Sequence, residues 1–428
     1  MDIRRINHNK GQIMIGIVVM FVVISLSIIS GVAWNVQKET LAESNLSSSA
    51  RSYYSAEAIT EDVVYRIKNG IQVSPTETIN INGAIGTAVI TDELGNKIVS
   101  TLGDYRNSIR KTSVSLSEGT GASFHYGVQA GQGGFVMENS SQIYGNLFSN
   151  GPAIGSGSSM VSGDIVSSGS SGLIEGIYSL GSAYSNTIRN STISGDAYYK
   201  NIYDTSVLGT QFPDSLDQEL EALPISDELI ESLKDEAEMG GIITTPCPYV
   251  IDTNKTIGPI KINCNLQIKG SPVVILKGNV WVSGDIYFDN GPQIKVDSSL
   301  GNKSVAMIAD KESNRTSSSK IEVSNTTSFE GSGAEGSYVL LISNNNSSEN
   351  GGSVKAIEVE NSVVGDLIVF AGHGEIFLKN SINLKEVSAY KIHLQNTAAI
   401  TYETGLQNTI FTSGPSGGFN INSWGEVK

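Results

Sequence analysis

Asp164, Asp196, Asp285 and Asp366 each follow a glycine at the start of a short apolar run. Repeated carboxylates of this kind offer two chemistries. Stacked in register they would hold Ca²⁺ or a sugar, and paired across a groove they would supply the acid and base of glycosidic cleavage. Gly-Asp is also ordinary turn chemistry, because the aspartate side chain bonds nearby backbone N–H groups, and this reading is preferred. His373, in Ala371-Gly-His-Gly-Glu375, and His393, between Ile392 and Leu394, have no second ligand at metal spacing. Both read as structural or solvated. No His-Glu-x-x-His motif and no phosphate loop is present, so the expectation is no catalytic residue, no metal and no cofactor.

The two cysteines, Cys247 and Cys264, bracket a segment that reads as short strands and a turn. A disulfide between them would stabilise the fold by roughly 3 kcal/mol in the chain-entropy model and requires an oxidising compartment. Two free buried thiols are the alternative. There is no Cys-x-x-Cys or Cys/His spacing of the kind zinc needs.

The elements that must position these residues are mostly short strands. Gly (46) is abundant and Pro (10) scarce, a composition suited to strands joined by tight turns. Units such as Gly145-Asn-Leu-Phe-Ser-Asn-Gly151, Gly163-Asp-Ile-Val-Ser-Ser-Gly169 and Gly284-Asp-Ile-Tyr-Phe288 recur at irregular intervals. Each offers one or two inward apolar residues framed by turn formers, as a coil of a parallel β-helix does. Residues 76–118 alternate as a small antiparallel sheet. Residues 213–245 interrupt the β pattern with an acidic helical insert that starts at a Ser226 cap and ends at Gly240-Gly241. A net charge of −15 with no dense basic block argues against nucleic acid.

From Ile13 to Trp34 no residue is charged, and as a helix this stretch spans about 33 Å, the thickness of a bilayer core. Arg4, Arg5 and Lys10 precede it, which places the N-terminus in the cytoplasm and the body outside. A cleaved signal peptide ending near Gly31 or Ala33 is the alternative. Leu41, Leu46, Ala50, Tyr53, Ala56, Ile59, Val63 and Ile67 continue the helix as an amphipathic one up to Asn69-Gly70.

Lys10-Gly11-Gln12, the apolar helix and Tyr54-Ser-Ala-Glu-Ala58 resemble type IV pilins over residues 1–70, PilX-type minor pilins in particular. The resemblance implies prepilin-peptidase cleavage between Gly11 and Gln12, usually with N-methylation. It also implies partnership with other pilin-like subunits through the helix. Major pilins carry a glutamate five residues into the mature chain; Gly16 stands there instead, which points to a minor or tip position. The C-terminal residues Ser413-Gly-Pro-Ser-Gly417, Trp424 and Glu426 are, with the coil segments, similar to β-helical regions of PilX-like envelope proteins.

The expected fold is mainly β with a long N-terminal α-helix: a transmembrane helix, a small antiparallel sheet, then a right-handed parallel β-helix. The expected divisions are a leader (1–12), the helix (13–70), the sheet (71–119), a first solenoid segment (120–212), the helical insert (213–245) and a second solenoid segment (246–428). The expected function is that of a non-enzymatic cell-surface protein, a minor pilin or pilus-assembly component with a role in adhesion to polysaccharide or another cell. A membrane-anchored β-helical polysaccharide lyase or hydrolase is the alternative.

Overall fold

The computed structural model describes residues 10–68, 73–93, 96–118, 127–402, 410–411 and 419–427. Most of the expected leader, the helix end at Asn69-Gly70 and the Ser413–Gly417 segment lie outside these residues.

Helix α1 runs unbroken from Lys10 to Lys68. Up to Val64 it belongs to a compact unit with residues 74–115 and 421–428, the solenoid forming the other. Four antiparallel strands follow: β1 (Thr76–Ile81), β2 (Ala84–Glu93), β3 (Asn96–Tyr105) and β4 (Ser108–Glu118). The β1–β2 hairpin turns through Asn82-Gly83, both at positive φ, the pair that a two-residue turn of this twist favours. Ala56, Ile59 and Val63 on α1 are buried with Ala88, Val99 and Val114 on the sheet, giving this unit a core of its own. Close approach is set by glycine: a Cβ added at Gly103 would stand 1.8 Å from Ser52 O, and one at Gly86 2.4 Å from Ser55 O. Beside these contacts the hydroxyls of Thr60, Thr101 and Thr112 bond one another in the buried interface.

Phe419–Val427 corrects the sequence reading, which places it in the second solenoid segment. It instead pairs beside β4 as the fifth strand of the small sheet. Its alternating residues serve an antiparallel edge as well as a coil, so periodicity alone does not separate the two.

The solenoid has three faces of stacked parallel strands. The chain enters it in the middle. Val128–Met137 and Gln142–Tyr144 form the first coil, and later coils wind away to Gln211–Pro213 at one end. Residues 214–226 then run back along the outside of the first face. Gly169 N donates to Gln218 O, Glu221 N to Asn150 Oδ1, and Gln129 Nε2 to Ala222 O. Helix α2 (Asp227–Met239) continues past the starting coil, and the chain re-enters at the opposite end with Ile242–Ile243. From there it winds inward until the last coil meets the first: His393 pairs with Val136, Leu394 with Met137 and Ile400 with Ile143. The two solenoid segments expected from sequence are thus one continuous stack with a seam.

The seam is built like any other coil boundary. Asn-Ser or Asn-Thr pairs at one corner, 139–140, 325–326, 361–362, 380–381 and 396–397, hold positive φ at both residues, a conformation asparagine tolerates better than most. Their amides form a ladder, Asn139 to Asn396 at 3.0 Å, Asn396 to Asn380 at 3.1 Å and Asn380 to Asn361 at 3.1 Å. The ladder crosses the seam without a break. Inside, one apolar core runs the length of the stack, including Val280, Met307, Leu341, Val369, Val387, Val128, Leu147 and Ile165 in successive coils of the first face.

Candidate functional site

Three of the four glycine-aspartate units, those of Asp164, Asp196 and Asp366, stand at the corner ahead of the first face, and Gly284-Asp285 stands at the next corner, ahead of the second face. A Cβ at Gly181 would lie 2.4 Å from Gly163 C, and one at Gly209 2.4 Å from Gly195 O. Only glycine lets the coils close to this spacing. The polar residue after each glycine then bonds the next coil: Asn146 Oδ1 accepts from Asp164 N at 2.9 Å, Asp164 Oδ1 from Ser182 N at 2.8 Å, and Asp196 Oδ1 from Thr210 N at 2.7 Å. Burial pushes the Asp164 carboxyl up, against the lowering effect of the Ser182 N–H. Asp285 Oδ1 accepts from Ser318 Oγ and Lys320 N, and Asp366 Oδ2 from Gly331 N. All four aspartates hold backbone; the structure does not bring them together around a groove.

His393 lies on the second face with Nε2 3.1 Å from Glu138 Oε2. His373 bridges two carboxylates, Nδ1 to Glu349 Oε2 at 2.7 Å and Nε2 to Asp227 Oδ1 at 3.2 Å. Burial pulls its pKa down, and the bonds to Asp227 and Glu349 outweigh that and raise it. Glu386 is wholly buried, one oxygen accepting from Ser388 Oγ at 2.7 Å and the other without a partner among the described residues. Burial keeps its carboxyl protonated well above the usual range.

Sequence reasoning missed the densest ionic cluster. Carboxylate oxygens of Glu231, Asp310 and Glu312 come within 4.8 Å of one another, a grouping that would suit a divalent cation. Lys234 Nζ already fills it, 2.9 Å from Glu231, 2.9 Å from Asp310 and 2.7 Å from Glu312, with its side chain 1% exposed. Asp310, also fully buried, takes two further bonds from Arg315 and one from Asn344 Nδ2. Burial alone would raise the Asp310 carboxyl; Arg315 and Lys234 hold it below the usual range. The cluster is therefore a lock for α2, whose Leu229, Ile230, Leu233 and Ala237 bury against the outward side of the first face. One signal was readable: Lys234 shares the helical face of Ile230, Leu233 and Ala237, a place where lysine needs a carboxylate.

The first half of α1 is the opposite case. The helix is long and apolar enough to cross a membrane by length and composition, and its most apolar window is 0% buried. Gly11 and Gln12 lie in its first turn, and a Cβ added at Gly16 would meet no atom within 4 Å. Among the described residues, no helix or strand packs over the third face of the solenoid. One of its outward rows, Gln293, Ser328, Val364, Asn383, Ala399, Gln142, Met160, Tyr178, Thr192 and Ser206, contains no charged residue, while the row beside it carries the ion pair of Lys295 and Glu330 at 2.8 Å. The second face alternates charges instead, with Lys355 and Lys391 paired to Glu375, and Lys379 to Glu358 and Glu360.

No protein-family model and no curated protein matches the chain. Among solved structures it is similar to the competence-associated pilin ComZ from Thermus thermophilus, at 7% identity over 89% of this chain and 97% of that one, with a TM-score of 0.22. An ice binding protein from an Antarctic bacterium of the Flavobacteriaceae overlaps 64% of this chain and 80% of its own, at 9% identity and a TM-score of 0.13.

Proposed function

We propose that this protein is a non-enzymatic surface component of the type IV pilin kind, anchored or assembled through α1, with its solenoid outside the cell. The observation that carries the reading is the division of α1. One stretch is apolar and bare, and the following stretch is seated on a small antiparallel sheet through glycines and buried threonines. A helix that only needed to tether the body would not require so close a fit to that sheet.

Gly16 favours a minor or tip position, since it lacks the carboxylate that would pair with a neighbouring subunit's amino terminus. The solenoid's role is contact with an uncharged surface such as a neutral polysaccharide. In a chain of net charge −15, the long uncharged row on the third face stands out, and Tyr178 there is exposed enough to stack on a sugar.

Mass spectrometry of the native N-terminus tests the proposal. A chain starting at Gln12, methylated or not, supports prepilin-peptidase processing and pilin-like partners. A chain starting at Met1, or near Trp34, removes the filament from the function.

A further inference from the structure

The two cysteines stand one above the other. Tyr249 pairs with Leu266 and Ile251 with Ile268 in parallel register, and Tyr249 N donates to Asn265 O at 2.8 Å. Cys247 and Cys264 lie in the bends just ahead of these paired strands, and their side chains are within hydrogen-bonding reach of each other. Side-chain geometry agrees: Cys264 Sγ is 3.7 Å from the carbonyl oxygen of Pro246, the residue before Cys247. Burial, with the neighbouring Cys247 sulfur adding to it, pushes the Cys264 thiol up to about 11. The sulfurs are not bonded to each other in the structure, with Cys247 exposed and Cys264 buried.

We propose that Cys247 and Cys264 form a disulfide in the mature protein and that this bond staples the outermost coil of the solenoid's second segment. That coil needs one. Among the described residues, its strands Ile242–Ile243, Tyr249–Ile251 and Lys255–Ile257 each pair with a coil on one side only. A terminal coil has half the neighbours of an inner one and is the first to fray. The opposite end of the stack is held differently, by Tyr184, Tyr198 and Phe212 stacked at 4.5 Å and 6° between successive rings.

The bond forms by exchange with an oxidant of the protein-disulfide or small-disulfide class. Exposed Cys247 as thiolate attacks one oxidant sulfur, forming a mixed disulfide and expelling the first thiol. Cys264 then attacks the Cys247 sulfur, forms the intramolecular bond and expels the second thiol. Two electrons and two protons pass from the cysteine pair to the oxidant, which is thereby reduced to two thiols. The proposal takes from the function above only the location of the body outside the cytoplasm, where such oxidants operate.

The test is mass spectrometry of full-length protein purified from its native envelope, denatured and alkylated with iodoacetamide without reductant. The expected result is a chain two hydrogen masses below the dithiol, no alkylation, and a linked peptide pair containing Cys247 and Cys264 that separates on reduction. Alkylation of both cysteines without reductant, or linkage of either to another chain, overturns the bond. The same spectrum reads the N-terminus independently. A Gln12 start with two alkylated cysteines sinks the disulfide and spares the pilin reading; a linked pair on a chain starting at Met1 does the reverse.

Discussion

Helices α1 and α2 both carry apolar surface that needs a partner, and they find it in different places. α2 buries Leu233 and Ala237 completely against the solenoid of its own chain. In the first half of α1, Phe21 stays 71% exposed and Ile24 47%. A bare apolar surface of that extent belongs against lipid or another protein. The polar residues sharpen the difference. α2 has Lys234 set among three carboxylates, and because a buried ion pair is stable only at one geometry, it fixes where the helix docks. The bare stretch of α1 has no charge that could choose a register.

The largest effect is expected at the lock. Asp310→Ala leaves Lys234 and Arg315 without their shared buried partner, a change of the kind that costs about 3–5 kcal/mol. Trp281, whose ring lies 4.6 Å from Lys234 Nζ, is a built-in reporter for denaturant unfolding of the body. The variant should shift that transition well down while leaving membrane association as it was. An unshifted midpoint would mean that apolar contact alone holds α2. Next in size is the reverse experiment. Ile24→Arg puts a charge midway along the bare stretch at a cost of about 2.5–3.5 kcal/mol in bilayer insertion. The protein should move from the membrane fraction to the soluble one, with the Trp281 transition unmoved; retention in the membrane would place the anchor elsewhere.

The comparison also explains what the sequence disclosed. Chemical type along short stretches was legible: the helix, the antiparallel sheet, the coil units and the Ser226 cap, whose hydroxyl accepts from Leu229 N at 3.3 Å. Strand order was not, because the link between coils 128–213 and 242–402 is an outward route over the first face, and a coil's periodicity carries no mark of which coil it will stack on. A partial mark exists in the repeated Asn-Ser and Asn-Thr pairs, since residues 139–140 and 396–397 share the same corner across the seam. The outward apolar residues Ile308, Ile342 and Phe370 were a second mark, for a surface strand would not spend them on solvent. At the candidate site, Asp164, Asp196, Asp285 and Asp366 read correctly as turn residues. The Lys234 cluster joins residues from 231 to 315, and such separations are visible only once the chain is folded.

The smallest effect concerns the N-terminal end of α2, where His373 accompanies the lock with a weaker and switchable contact. Its ring nitrogens face Asp227 on α2 and Glu349 on the adjoining loop, and together these raise its pKa above the ordinary value despite burial. A group whose folded pKa is raised contributes stability that is fully present below the unfolded value, about 6.5, and lost as pH rises through the folded one. The side chains of Asp227 and Glu349 are 68% and 47% exposed, so the contribution stays within about 1 kcal/mol. Glu386, protonated by burial, also destabilises the fold as pH rises, beginning near the ordinary carboxyl value, but it is untouched by a change at His373. Hydrogen exchange across Asp227–Glu231, corrected for intrinsic rates, should therefore show protection falling as pH rises above the ordinary histidine value in the wild type. In His373→Gln that fall should vanish, while the rest of α2, held by Lys234, keeps its protection in both proteins. An identical fall in the variant would assign the pH response to Glu386 or the solenoid, leaving the ionic lock, with Glu236 on Asn279 and Glu238 on Lys261, as the polar control on where α2 sits.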